Sequence, residues 1–213
     1  MHLKPLKQIW LCRHGDNVRD GAAEEDVPLS ELGQAQMHKA GVFMAQNHIQ
    51  EPVIIVSSGV LRSDESAKCI KAGLLSAGFN KAGVFTLSSE LLVNGQLEAQ
   101  LELFQRITAL DQMQPSPSST VLIGHRRTNV MEMWRFILAG RGDLNKLLAE
   151  EGLTAEDLAD NSAVIDRICD KAAHVESINT FNIAEVCGYM LQIKRWADFD
   201  LMHTNVELIA DIK

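Results

Sequence analysis

Three short apolar runs, at residues 9–12, 53–56 and 121–123, stand out along the first half of the chain. None alternates polar with apolar positions. Each therefore reads as a strand buried on both faces, the pattern of a parallel sheet. A weaker run at 84–87 reads the same way. Between them the apolar period lengthens to that of a helix. Ser30 precedes Met37, Ala40, Val42 and Phe43, which predicts an N-capped helix of about four turns. Residues 63–75 carry Ala67, Ile70, Leu74 and Leu75 at helical spacing. Leu97, Leu101, Phe104, Ile107 and Leu110 mark one apolar face over 97–113, and 129–138 is again helical. Alternating strands and helices predict a three-layer α/β/α sandwich around a mostly parallel sheet.

The segment Pro115-Ser116-Pro117-Ser118-Ser119 is a loop, since an apolar run follows at once. Residues 140–176 differ in character. Leu144, Leu147, Leu148, Leu153, Leu158, Ile165 and Ile168 lie among many Asp and Glu residues, which predicts two or three short helices inserted near the site entrance. Beyond them, 180–186 and 189–193 read as strands flanking a hairpin turn at Cys187-Gly188. The expected organisation is one domain over 1–213 with a helical insertion at about 140–176.

The chain has 213 residues, 46% of them hydrophobic, which suffices for one large core. Its formal net charge of -8 argues against a nucleic-acid or anionic-membrane surface, but leaves room for a small cationic pocket. Cys12, Cys69, Cys169 and Cys187 are widely separated and show neither a CxxC pair nor zinc spacing. With no signal-peptide pattern or membrane-spanning run, the expected location is the cytoplasm. No metal site or cofactor is expected. The oligomeric state is not legible.

Chemistry concentrates at the ends of the predicted strands. Arg13-His14-Gly15 follows the first, where open α/β sheets build ligand sites. An arginine can clamp an anion, a histidine can act as nucleophile, and a glycine lets a ligand approach the backbone. Attack on phosphorus needs a neutral imidazole and cations around the three equatorial oxygens. Nearby arginines disfavour a second positive charge and so favour the neutral ring. After the second strand, the segment from Ser57 through Arg62 to Ala67 opens a helix, whose free N–H groups suit an anion. Gly124-His125-Arg126-Arg127 closes the third strand. Taken singly, each of these also reads as a capping, buried or solvated residue.

Together, strand-RHG, Ser-Ser-x-x-x-Arg before a helix and strand-Gly-His resemble the histidine phosphatase superfamily, the phosphoglycerate mutase-like fold. Pro28-Leu29-Ser30-Glu31-Leu32-Gly33-Gln34-Ala35-Gln36 is similar to the segment that opens that family's first helix. The resemblance runs from residue 9 to about 138 and resumes at Ser177-Ile178-Asn179-Thr180. It is nearest in character to the short phosphohistidine phosphatase branch. It implies that His14 is the nucleophile, that Arg13, Arg62 and His125 complete a phosphate pocket, and that Glu90 protonates the leaving oxygen. Asp16 is the alternative acid and Glu98 a remoter one. Asn17, Ser66 and Arg126 are the implied substrate contacts. Asn17 stands where the family often has Ser or Thr, and its amide can still donate. Asp16 replaces the family's usual Glu. Arg126 and Arg127 replace small residues, and either extend the anion site or cover it.

The function so implied is metal-independent hydrolysis of a small phosphomonoester, or of phosphohistidine on a protein, through a phosphohistidine intermediate. One rival is a phosphate-binding module that has lost turnover and acts through a protein partner. Another is a mutase-type phosphotransferase, although the longer mutase insertions are not recognisable here. A cysteine phosphatase is disfavoured because no cysteine has an arginine at the required spacing. A P-loop enzyme is disfavoured because GxxxxGK[ST] is absent.

Overall fold

The computed structural model describes residues 6–18, 23–92, 97–125, 138, 183–200 and 204–212. Six strands form one sheet. In chain order they are β1 (Lys7–Arg13), β2 (Val53–Ser57), β3 (Val84–Ser88), β4 (Ser119–Gly124), β5 (Val186–Leu191) and β6 (Val206–Ile212). Across the sheet the order is β3-β2-β4-β1-β5-β6. The first four are mutually parallel, whereas β5 runs antiparallel to both β1 and β6. The expected mostly parallel sheet with an antiparallel contribution from the C-terminal part is therefore observed.

The strand alternation divides the apolar side chains between two faces. Trp10, Cys12, Val53, Ile55, Val121 and Ile123 pack with Met37, Met44, Ile70 and Leu74 of α1 (Glu31–Gln46) and α2 (Leu61–Ser76). Ile9, Leu11, Ile54, Val56 and Leu122 pack on the opposite face with Ala99, Leu103 and Ile107 of α3 (Leu97–Thr108), and with Trp196 and Phe199. These are the three layers read from the sequence. Continuous burial on both faces is why β1, β2 and β4 show no polar alternation.

The boundaries differ in instructive ways. β4 begins at Ser119 and Thr120, both fully buried although polar. Ser119 Oγ lies 3.0 Å from Gln8 Oε1, which also accepts from Trp10 Nε1 at 3.2 Å. Hydrogen bonding thus compensates the burial of Ser119, whereas the buried Thr120 hydroxyl has no hydrogen-bond partner among the described residues. α2 starts two residues before the predicted position, which puts Arg62 in its first turn. α3 ends at Thr108, and a 3-10 turn at Ala109–Gln112 continues it.

One expectation fails. Cys187-Gly188 is not a hairpin turn but lies within β5, where Trp10 pairs with Gly188. A Cβ on Gly188 would meet three Trp10 ring carbons at 2.6–2.7 Å. The glycine is required by an indole lying across the strand, not by a reversal of the chain. Residues 183 and 184 form a turn rather than a strand, and no sequence signal pointed to β6. The region 140–176, the helical pattern at 129–138 apart from Leu138, and the 177–180 resemblance lie outside the described residues. Among the described residues, no helix is long and apolar enough to cross a membrane.

Candidate active site at the carboxyl ends of the strands

Because β1, β2 and β4 are parallel neighbours, their carboxyl ends share one edge of the sheet. Arg13 pairs with Gly124 at the last rung, so His14 and His125 leave adjacent strands side by side. The His14 N–H donates to Gly124 O at 3.3 Å, and the two imidazole centroids are 5.0 Å apart. Both rings are buried, at 4% and 5% exposure. β2 ends on the same edge, and the chain turns there through Ser58 and Gly59 into α2. That turn brings Arg62, 8% exposed, against the nucleophile candidate: Arg62 Nε donates to His14 Nε2 at 3.3 Å.

The His14 ring is oriented by its own loop. Nδ1 lies 2.8 Å from Gly15 O. A carbonyl oxygen only accepts, so Nδ1 carries the proton and Nε2 of the neutral ring presents its lone pair. The loop is braced from two sides. Gly15 N–H donates to Ser66 Oγ at 3.3 Å, and Ser66 Oγ donates to Arg62 O at 2.7 Å. On the other side α1 presses against the loop at Gly33, where a Cβ would lie 2.0 Å from Asp16 O. The Pro-Leu-Ser-x-x-Gly segment thus serves to seat the start of α1 against the Arg13-His14-Gly15 turn.

His125 has a different environment. Its Nε2 lies 2.6 Å from Ser58 Oγ, itself buried. Burial foremost, then the neighbouring His14, Arg62 and Arg13, push its pKa down to about 3. It is a neutral imidazole among cations. Cys12, next to Arg13 in sequence, is fully buried, and burial pushes its thiol well above the ordinary range. It is no competing nucleophile.

The structure brings His14, Arg62 and His125 into one cluster, and places Arg13 at the end of β1 within electrostatic reach of His125. Glu90 is exposed and heads a 3-10 turn at Glu90–Leu92. The turn is tied to the end of β2 by Ser89 N–H donating to Ser57 O at 2.8 Å, and Leu91 and Leu92 anchor it in the core. Glu90 therefore stands at the same edge of the sheet, joined to it through backbone. Asp16 is occupied otherwise: Oδ2 accepts from Ser30 Oγ at 2.7 Å, and Ser30 Oγ in turn caps α1 by accepting from Gly33 N–H. Asn17 is half-buried in a single bridge with Leu29. Ser66 is fully buried, and its hydroxyl lies between α2 and the nucleophile loop, within the scaffold. Glu98 falls in α3, and Arg126 and Arg127 lie outside the described residues.

Several residues that carry this geometry were not singled out from the sequence. Ser58 touches His125. Ser63 Oγ accepts from Ser58 N–H at 3.0 Å and donates to Ile123 O at 3.2 Å, so it ties α2 to β4. Glu65 Oε2 accepts from Leu29 N–H at 2.7 Å. Glu185 is a buried carboxylate residue whose carbonyl accepts from Arg13 N–H at 3.2 Å. Ser58 and Ser63 were visible as serines flanking the turn before Arg62. Nothing local marks Glu185 as buried. Among the described residues no three His, Cys, Asp or Glu side chains converge as a metal-ligand set.

Comparison with known proteins follows the same outline. A profile of the histidine phosphatase superfamily (branch 1) matches residues 9–77, from β1 to the end of α2. No curated protein matches the chain by sequence. Among solved structures, the chain is similar to the SixA protein of Nakamurella multipartitia, assigned as a phosphohistidine phosphatase. The TM-score is 0.59 and the identity 16%, over 97% of this chain and 95% of that one. The corresponding Agrobacterium tumefaciens protein aligns with a TM-score of 0.57 and 17% identity, over 97% and 98% of the two chains. A mycobacterial glucosyl-3-phosphoglycerate phosphatase in complex with VO3 aligns with a TM-score of 0.55 and 11% identity, over 95% and 97%. At these identities the likeness is one of fold.

Proposed function

We propose that the chain is a phosphatase of the histidine phosphatase superfamily, whose profile matches residues 9–77, and that it cleaves phosphomonoesters or phosphohistidine in two steps on His14. The observation that carries this reading is the bond from His14 Nδ1 to Gly15 O, which leaves the Nε2 lone pair beside the Arg62 guanidinium. In the first step Nε2 attacks phosphorus. The bond from phosphorus to the leaving oxygen breaks, and that oxygen takes its electron pair and a proton from the Glu90 carboxylic acid. Arg13, Arg62 and His125 surround the equatorial oxygens, where negative charge is stabilised by preset donors. In the second step the Glu90 carboxylate takes a proton from water, the hydroxyl oxygen bonds to phosphorus, and the electrons of the P–N bond return to His14.

Glu90 is assigned as the acid on two grounds. Its turn is anchored at the site edge, and the Asp16 carboxylate is committed to Ser30. The exposure of Glu90 is the one observation favouring the second reading, a phosphate-binding module without turnover, because an acid is best kept near the reacting atoms. Hydrolysis of p-nitrophenyl phosphate by the wild-type chain and by His14→Ala decides between them. The phosphatase reading predicts turnover that His14→Ala abolishes. Inorganic phosphate binding with no turnover at any pH from mildly acidic to neutral supports the module. A further panel including a phosphohistidine protein selects the substrate class.

A further inference from the structure

We propose that Ser58 is a positioning residue that fixes the orientation and tautomer of His125, with its hydroxyl donating to Nε2 so that the neutral ring carries its proton on Nδ1. The argument is one of hydrogen-bond bookkeeping. A serine hydroxyl has one proton to give and two lone pairs. Val60 N–H approaches Ser58 Oγ at 3.5 Å and points at a lone pair. Among the described residues the one acceptor for the hydroxyl proton is His125 Nε2, at 2.6 Å. If Nε2 instead carried a proton, the hydroxyl would accept it and leave its own proton with no acceptor, at a site 2% exposed to solvent. Such a buried orphan is costly. Donation from Ser58 satisfies the hydroxyl proton and the Nε2 lone pair together, and leaves the ring proton on the buried Nδ1, where a phosphate oxygen would accept it.

Ser58 is itself held rigidly enough to do this. Its N–H is bound to Ser63 Oγ, and Ser63 Oγ reaches back to Ile123 O, two residues before His125. The serine, the start of α2 and the end of β4 therefore form one closed loop of bonds around the imidazole. The consequence deepens the phosphatase reading and rests on it. An ionised phosphate oxygen can only accept, so a neutral His125 can serve it only through an N–H. With Nε2 taken by Ser58, that N–H is at Nδ1. Ser58 thereby prevents the ring from turning a lone pair toward an anion.

The test uses the full chain, labelled with ¹⁵N, and a long-range ¹H–¹⁵N correlation spectrum of the imidazoles, with His125 assigned by its loss in H125Q. Wild-type His125 is expected to show a protonated Nδ1 and an unprotonated Nε2 at neutral pH. S58A is expected to lose that single-tautomer signature, to bind inorganic phosphate more weakly, and to lower kcat for p-nitrophenyl phosphate by up to about a hundredfold, the scale of a misplaced active-site group. S58T, which keeps the hydroxyl, is expected to restore the signature. An Nε2–H signature in wild type overturns the proposal, as does S58A with wild-type tautomer or wild-type phosphate affinity. Should S58A fail to fold, the wild-type spectrum decides alone. A wild-type chain without turnover that shows the Nδ1–H signature, and loses phosphate affinity in S58A, refutes the phosphatase reading while sparing the role of Ser58.

Discussion

At the scale of single residues, the cluster is defined by which groups are kept neutral and which charged. His125 is buried among Arg13, Arg62 and His14, and its pKa falls to about 3. In the unfolded chain a histidine titrates near pH 6.5. Between those values the unfolded state binds a proton that the native state refuses, so stability falls as pH drops from about 6.5 toward 3. Where that one site dominates, the slope is about 1.4 kcal/mol per pH unit. His125→Gln removes it, and urea midpoints measured across that range should show a shallower acid limb than wild type. An unchanged limb contradicts the assigned neutrality. Arg62 is the complementary case. Its guanidinium contacts His14 and occupies the first turn of α2. Arg62→Ala should lower kcat/KM by about 10²–10³-fold, the usual cost of losing one preset charge-stabilising donor. It should also weaken phosphate binding, since the contact serves ground and transition states alike. These arginines and histidines were legible in the sequence because strand-end position and residue type point the same way. Ser58 and Glu185 were not, because their roles depend on partners 67 residues away for Ser58 and across the sheet for Glu185.

At the scale of elements, periodicity located β1 to β4 and α1 to α3 with errors confined to their ends. It failed where one glycine had two readings. Cys187-Gly188 has the composition of a turn, yet Gly188 is in mid-strand beneath the Trp10 indole. A single sequence shows that a residue is small but not whether small size serves a reversal or a close approach. The distinction is measurable. Gly188→Ala would place a methyl against a fully buried ring, and overpacking of this kind costs roughly 1–3 kcal/mol. The predicted outcome is a lowered urea midpoint with KM nearly unchanged, since the strain lies away from the carboxyl-end edge. A substitution without effect on stability contradicts the packing described for β5. β6 was missed for another reason. It is an edge strand in which Glu207 and Asp211 interrupt the apolar positions and Leu208 is exposed, so its short Leu208-Ile209-Ala210 run does not mark a strand buried on both faces.

At the scale of the whole molecule, the sheet order explains why separate motifs make one site. β1 and β4 lie adjacent at the centre, and β2 flanks β4, so three chain segments spread over more than 100 residues end within one cluster. A chain of net charge -8 thereby concentrates Arg13 and Arg62 around two neutral-capable imidazoles. The fold was legible because alternating strand and helix patterns restrict the topology strongly. The proposed acid was less so, since Glu90 sits on a turn placed by backbone contacts rather than by a pattern in the chain. The most direct test of the account is to trap the phosphoryl group. Wild-type chain mixed with a ³²P-labelled phosphomonoester and quenched in alkali should retain up to one equivalent of acid-labile, base-stable label, located at His14 and absent from His14→Ala. Turnover with no protein-bound label under single-turnover conditions, or label retained in His14→Ala, would contradict it.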